Sequence, residues 1–221
     1  MSKSGNWEPP KTLDKKELIS LSNTVLNNQT KAFEKKEHIF RIETLEMIWD
    51  VGVMVYEPSN PNHIPKDAHG RKVGIFVLPG GSGDYRAMEP LTNLLVQKLG
   101  YRVATMTYPG RLYLNEENRD WPGDTFNSDG TVRTPIWQKG EEIQPEEYEV
   151  IIDESLRSRY GRRMVARAKP GTNFYNRMAA WPVAFEDAMK TVCQRHFPKG
   201  DFSIYVHGHS TGGPFVHMLT Q

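Results

Sequence analysis

The chain has a single cysteine, Cys193, among 221 residues, and this scarcity excludes an internal disulfide and a thiolate metal site. We therefore expect a reduced, intracellular protein located in the cytoplasm. Long apolar runs are also missing, because no window reaches the length that spans a bilayer. Residues 1–16 lack the apolar core of a signal peptide, so we expect a soluble chain.

Neither sign of charge dominates, since 28 Lys and Arg face 27 Asp and Glu for a formal net charge of +1. Such a chain has no overall field to hold nucleic acid or an anionic membrane, and we expect neither partner. The histidines at positions 38, 63, 69 and 196 show no metal-ligand spacing. We therefore expect no metal and no other cofactor.

The N-terminal part, residues 1–37, is predicted to be a polar arm followed by an amphipathic helix from Leu13 to Lys36. Residues 38–221 are predicted to form the core. Between His38 and Glu57 apolar and charged residues alternate, as in Val51, Val53 and Val55, which predicts an antiparallel pair of strands.

A strand–turn–helix–strand unit follows. Val73–Leu78 is apolar at every position but Gly74, which is typical of a parallel strand covered by helices on both faces. The glycine-rich turn Gly80–Gly83 leads into an apolar-periodic helix that Gly100 ends. Arg102–Thr107 is the next strand and completes a βαβ unit.

Residues 110–172 are polar and rich in Pro and Gly, and we expect an insertion that covers a substrate pocket. Within it, Glu146–Lys169 carries acids first and bases last, which favours a partly helical segment. A stronger helix is predicted over Asn176–Phe197, with Pro182 near its first turn. Its buried side is predicted to comprise Val183, Ala188, Met189, Val192 and Cys193. A further strand follows at Phe202–Val206.

The segment Gly208-His209-Ser210-Thr211-Gly212 matches the pattern G-x-S-x-G and lies between that strand and an apolar helix. Such a turn holds its serine in a sparsely populated backbone conformation, with glycines where strand and helix approach too closely for side chains. Ser210 is therefore the candidate nucleophile. The Thr211 N–H is the candidate for one half of an oxyanion hole.

The other half of the hole is expected from the loop after Val73–Leu78, with Gly81 as the favoured donor beside Gly80 and Ser82. Other residues near the ends of the three predicted parallel strands are candidates for substrate binding, although Tyr85 can instead help to cap the helix after the turn and Tyr108 can instead serve in packing. The candidate substrate-binding residues are Ser82, Tyr85, Tyr108, His207 and His209.

From about Val73 onward, and by extension from His38, the chain resembles the first half of an α/β-hydrolase fold protein. The GHSTGG and PGGSG turns in their strand–helix contexts carry the resemblance, although many relatives have His-Gly where Pro79-Gly80 stands here. It implies an α/β fold with a mostly parallel sheet, flanking helices and an antiparallel N-terminal hairpin, incomplete at the C-terminus.

The resemblance also implies a serine hydrolase that cleaves an ester, lactone or related carbonyl compound through an acyl-enzyme on Ser210. In this superfamily the acid and the histidine follow the nucleophile, but only 11 residues follow Ser210. His207, His209 and His217 are poorly placed as bases. We therefore expect a small-molecule substrate and a complementing C-terminal polypeptide segment that supplies both missing groups.

Several other functions remain open. The chain can be a non-catalytic α/β-hydrolase-like binding protein or an inactive fragment. The same fold also supports acyltransferases and hydrolases of carbon–carbon bonds. The Gly80–Gly83 turn can alternatively hold a phosphate at a helix N-terminus, although it lacks the P-loop lysine and the G-x-G-x-x-G pattern.

Overall fold

The computed structural model describes residues 12–81, 83–114, 132–158 and 161–219, which form a five-stranded mixed sheet, a separate two-stranded sheet and several helices. In chain order the elements are α1 (Lys15–Asn27), β1 (Phe33–Thr44), β2 (Met47–Pro58), β3 (Lys72–Leu78), α2 (Glu89–Leu94), β4 (Arg102–Met106), β5 (Tyr148–Ser158), β6 (Gly161–Ala168), α3 (Asn173–His196), β7 (Phe202–Gly208) and α4 (Gly212–Leu219). None of the helices in these ranges is both long and apolar enough to cross a membrane.

The strand order in the large sheet is β1-β2-β4-β3-β7. The predicted hairpin and βαβ unit are confirmed, because β1 pairs with β2 antiparallel and β3 pairs with β4 parallel. The sheet is mixed rather than mostly parallel. The hairpin joins it through an antiparallel β2–β4 pairing, while β7 adds to β3 in parallel.

Side chains from the two faces of the sheet enter two separate apolar clusters. Phe76 and Leu78 of β3 point towards α3, whereas Val77 between them contacts the layer built by α2 and the π-helical turn Leu95–Leu99. All three side chains are fully buried. The prediction that Val73–Leu78 is covered by helices on both faces is therefore confirmed.

The N-terminal helix is shorter than predicted, because α1 ends at Asn27 and Phe33 already begins β1. Asp14 and Glu17 form a capping box at its start. Phe33 continues the helical spacing in the sequence, but its ring packs against Tyr56, with the ring centroids 6.1 Å apart. That contact across the hairpin requires an extended backbone at Phe33.

The predicted helix within Glu146–Lys169 is wrong. Apart from a short 3₁₀ turn at Pro145–Glu147, the described residues form the antiparallel pair β5 and β6, with Val150 opposite Ala166 and Ile152 opposite Met164. The order of charges favours a helix by only a few tenths of a kcal/mol per residue. The run of β-branched residues from Val150 to Ile152 favours extended backbone more strongly.

The long helix α3 begins three residues earlier than predicted, at Asn173, because the Thr172 hydroxyl caps it by accepting a hydrogen bond from the Tyr175 N–H. Pro182 consequently lies inside the helix rather than in its first turn. The predicted buried side is confirmed for Ala188, Met189 and Val192, but Val183 is 42% exposed.

The described part of the 110–172 insertion contributes to the core. Trp137 is 1% exposed, packs edge-on against Trp49 with the ring centroids 5.0 Å apart, and accepts a hydrogen bond from the Asp50 N–H on its carbonyl. Residues 115–131 lie outside the described ranges. The role of the insertion as a pocket cover therefore stays a prediction.

A buried ion pair links α3 to this insertion. The Arg177 guanidinium donates to the Ile48 carbonyl at 2.6 Å and to Glu141 Oε1 at 2.9 Å. Its side chain is 6% exposed and that of Glu141 is 17% exposed. Removing one partner from such a pair leaves the other charge buried without compensation.

We expect Arg177→Met to lower the free energy of unfolding by about 3 kcal/mol, because it leaves the Glu141 carboxylate and the Ile48 carbonyl without their donor. Lys190→Met is the control, since Lys190 pairs with Glu186 on the exposed face of the same helix. Urea unfolding of both variants checks the prediction. Equal midpoints for the two variants would contradict it.

Candidate active site

Ser210 lies in the tight turn between β7 and α4 and has a φ of +52°, in the left-handed region. The Gly212 N–H donates to the His209 carbonyl at 2.8 Å, and the Gly213 N–H donates to the Ser210 carbonyl at 3.0 Å. A further hydrogen bond, from the His209 N–H to the Leu78 carbonyl at 3.1 Å, ties the turn to the end of β3. The predicted strained strand–helix turn is confirmed.

The glycines on either side of Ser210 are required by backbone contacts. A Cβ built on Gly208 would lie 2.3 Å from the Gly212 carbonyl oxygen. A Cβ built on Gly212 would lie 2.8 Å from the carbonyl oxygens of both Leu78 and Pro79. Real Cβ atoms do not approach backbone this closely, so the predicted exclusion of side chains at both positions is confirmed.

The loop after β3 lies against the Ser210 turn. A Cβ on Gly80 would be 3.2 Å from His209 Cδ2 and 3.4 Å from Ser210 Cβ. The loop closes on itself through a hydrogen bond from the Gly83 N–H to the Gly80 carbonyl at 2.9 Å. The structure thus brings together the two segments that the sequence analysis assigned to the oxyanion hole.

Three backbone N–H groups of the two turns make no hydrogen bond within the described structure. Within the described ranges, the N–H groups of Gly80, Gly81 and Thr211 donate no hydrogen bond to the protein. That these N–H groups point at one common position, as an oxyanion hole requires, stays a prediction. Ser82 lies outside the described residues.

The tyrosines among the predicted substrate-binding residues are buried. Tyr85 is 1% exposed and its hydroxyl donates to the Glu37 carboxylate, on the α2 side of the sheet. Tyr108 is 6% exposed and its hydroxyl donates to the Pro79 carbonyl at 2.6 Å. The placement of Tyr108 favours the packing interpretation. Tyr85 is also a core residue, and the helical turn that begins with it is capped by Asp84, whose side chain accepts from the Arg86 N–H. Sequence reasoning had no signal for the contact between Tyr108 and the loop.

The histidines near the turn are solvent-exposed. His207 lies on β7 opposite Val77, His209 is beside Gly80, and His217 is on α4. Within the described part of the chain no hydrogen bond joins the Ser210 hydroxyl to any of these histidines.

Residues 12–81, 83–114, 132–158 and 161–219 contain no group of three or more His, Cys, Asp or Glu side chains that could hold a metal ion. Comparison with known proteins finds no family model that matches the chain and no similar curated protein. The chemistry of this site therefore has to be argued from its own geometry.

We expect Gly208→Ala to lower the free energy of unfolding by about 3 kcal/mol, because its Cβ overlaps the backbone of the first residue of α4. Gly213→Ala is the matched control, since a Cβ at that position meets nothing within 4 Å. Thermal and urea unfolding of both variants measure the difference. A Gly208→Ala protein as stable as Gly213→Ala would show that the close contact is relieved without cost.

The left-handed backbone conformation of Ser210 leads to a second prediction. Glycine adopts this conformation without the steric cost of about 1 kcal/mol that other residues incur. Ser210→Gly should therefore be about 1 kcal/mol more stable to urea than Ser210→Ala, which also lacks the hydroxyl but keeps the Cβ. If the alanine variant equals or exceeds the glycine variant in stability, the turn is not strained.

Proposed function

We propose that the chain is a serine hydrolase of the α/β-hydrolase type that cleaves an ester, lactone or related carbonyl compound. One observation carries the proposal: Ser210, held at a φ of +52° between β7 and α4, lies against the Gly80 loop that follows β3. A serine on a strained strand–helix turn beside backbone donors from a second loop is the arrangement used for acyl transfer.

The strand topology supports the proposed assignment to the α/β-hydrolase fold. In α/β-hydrolases the serine follows a central strand, and the second oxyanion donor comes from the loop between the third strand and its helix. Here the loop follows β3, the third strand of the chain, and β7 lies beside β3 in parallel. The free N–H groups of Gly80, Gly81 and Thr211 supply the donors.

In the proposed reaction the Ser210 Oγ attacks the carbonyl carbon while a base takes its proton. The carbonyl oxygen becomes an oxyanion that the loop N–H groups and the Thr211 N–H stabilise. When the oxyanion collapses, the bond to the leaving oxygen breaks and that oxygen receives the proton from the base. Water then attacks the acyl-enzyme in the same way and releases the acid.

The base and its orienting acid are proposed to come from a complementing polypeptide segment. β7 is the outermost strand of the described sheet, and Ile204 and Tyr205 on it are 38% and 55% exposed. A groove of about 700 Å³ runs beside it between β7 and the end of α3. Natural proteins cover such apolar edge strands, so this edge is where the segment would pack.

A second candidate is a non-catalytic binding protein that keeps the turn as architecture. The observation that favours it is the Ser210 hydroxyl, which makes no hydrogen bond to a described residue. Such a protein would hold a carbonyl or carboxylate ligand over the same N–H groups without turning it over.

Labelling of the natively produced protein, with any polypeptide that remains bound to it, by a fluorophosphonate serine probe tests the proposal, and intact mass reports both the label and the bound polypeptide. We expect stoichiometric labelling and hydrolysis of p-nitrophenyl butyrate, both abolished by Ser210→Ala. Ser22→Ala, on the exposed α1, is the control and should behave as the wild type. Ligand binding with no labelling and no turnover would support the binding protein, and turnover that survives Ser210→Ala would overturn the assignment of the nucleophile.

A further inference from the structure

Tyr108 connects the loop after β3 to the layer that carries the Ser210 helix. Its hydroxyl donates to the Pro79 carbonyl at 2.6 Å, immediately before Gly80. Its backbone N–H donates to the Gly83 carbonyl at 2.9 Å, at the other end of the same loop. One residue at the end of β4 therefore holds the loop at both of its ends.

The ring of Tyr108 also contacts the helix that follows Ser210. It packs edge-on against Phe215 of α4 with the ring centroids 5.3 Å apart, and against Phe185 of α3 at 5.5 Å. A Cβ on Gly83 would lie 2.9 Å from the Tyr108 ring, so the loop closes directly over it. The distance between the loop and α4 consequently depends on this side chain.

Burial keeps the Tyr108 hydroxyl a donor. The side chain is 6% exposed, and burial raises the pKa of its hydroxyl well above the ordinary value. The group therefore stays protonated through the neutral and alkaline range. The hydrogen bond also satisfies the buried Pro79 carbonyl, which would be costly to leave without a donor.

We propose that Tyr108 is a positioning residue that sets the separation between the Gly80–Gly81 N–H groups and Ser210. The proposal deepens the proposed function and rests on it. Oxyanion stabilisation depends on donors held within a few tenths of an ångström of the developing charge. The hydroxyl of Tyr108 supplies that constraint through its hydrogen bond to the Pro79 carbonyl.

The test compares Tyr108→Phe with Tyr113→Phe. Tyr113 is the matched control because its hydroxyl also donates to a buried group, but to Asp50 Oδ2 at 2.8 Å rather than to the loop. With p-nitrophenyl butyrate we expect Tyr108→Phe to lower kcat about tenfold and to leave KM within twofold. Tyr113→Phe should leave both parameters unchanged. Titration of active sites with the fluorophosphonate probe corrects the rates for unfolded protein.

Amide hydrogen exchange supplies a readout that does not depend on activity. Exchange of the Gly83 amide, whose N–H donates to the Gly80 carbonyl across the loop, should rise about tenfold in Tyr108→Phe and stay unchanged in Tyr113→Phe. Unchanged loop exchange, or an unchanged kcat per active site, overturns the positioning role. If the wild type neither turns over the ester nor reacts with the probe, the proposed function fails, and the exchange result still decides whether Tyr108 holds the loop.

Discussion

The close approach between the Ser210 turn and the end of β3 is the constraint on which the rest of the site depends. Gly208 and Gly212 have no room for a Cβ. Gly208, at the end of β7, lies against the backbone at the start of α4, and Gly212 lies against the carbonyls of Leu78 and Pro79. The parallel β3–β7 pairing runs through to Leu78 and Gly208, so the two loops leave the sheet side by side. The Ser210 turn and the Gly80 loop are therefore neighbours by topology.

The strain at Ser210 is small compared with what holds the turn in place. A left-handed serine costs about 1 kcal/mol, whereas burying an aromatic side chain such as Phe215 contributes about 2 kcal/mol. Phe215 lies in an aromatic cluster with Tyr108, Trp181 and Phe185. The packing of α4 against this cluster outweighs the backbone strain and keeps the serine hydroxyl in its exposed position. The same cluster links the turn to α3 and to β4.

The elements predicted from the sequence are those whose signal is local. Val73–Leu78 has the apolar composition of a doubly covered strand, and the glycines at 208 and 212 mark a turn with no space for side chains. The two failures have different causes. Phe33 continues a helical spacing but packs across the hairpin on Tyr56, a long-range contact that a single sequence does not reveal. Between Glu146 and Lys169 the order of charges favours a helix, but the local β-branched run Val150–Ile152 favours the strand pairing that forms.

The sequence by itself determined that Ser210 lies between a strand and a helix, since an apolar segment stands on either side of the glycine-rich turn. It also placed a second glycine-rich turn after the apolar strand Val73–Leu78. The burial of the strand before Ser210, which its composition also suggests, is wrong, because only Phe202 of β7 is buried. Only the tertiary structure decided that these turns meet and that Tyr108 joins them, because β3, β4 and β7 are far apart in the chain and adjacent only in the sheet. Backbone preference is a property of neighbouring residues, whereas the spacing of a site depends on packing between distant ones.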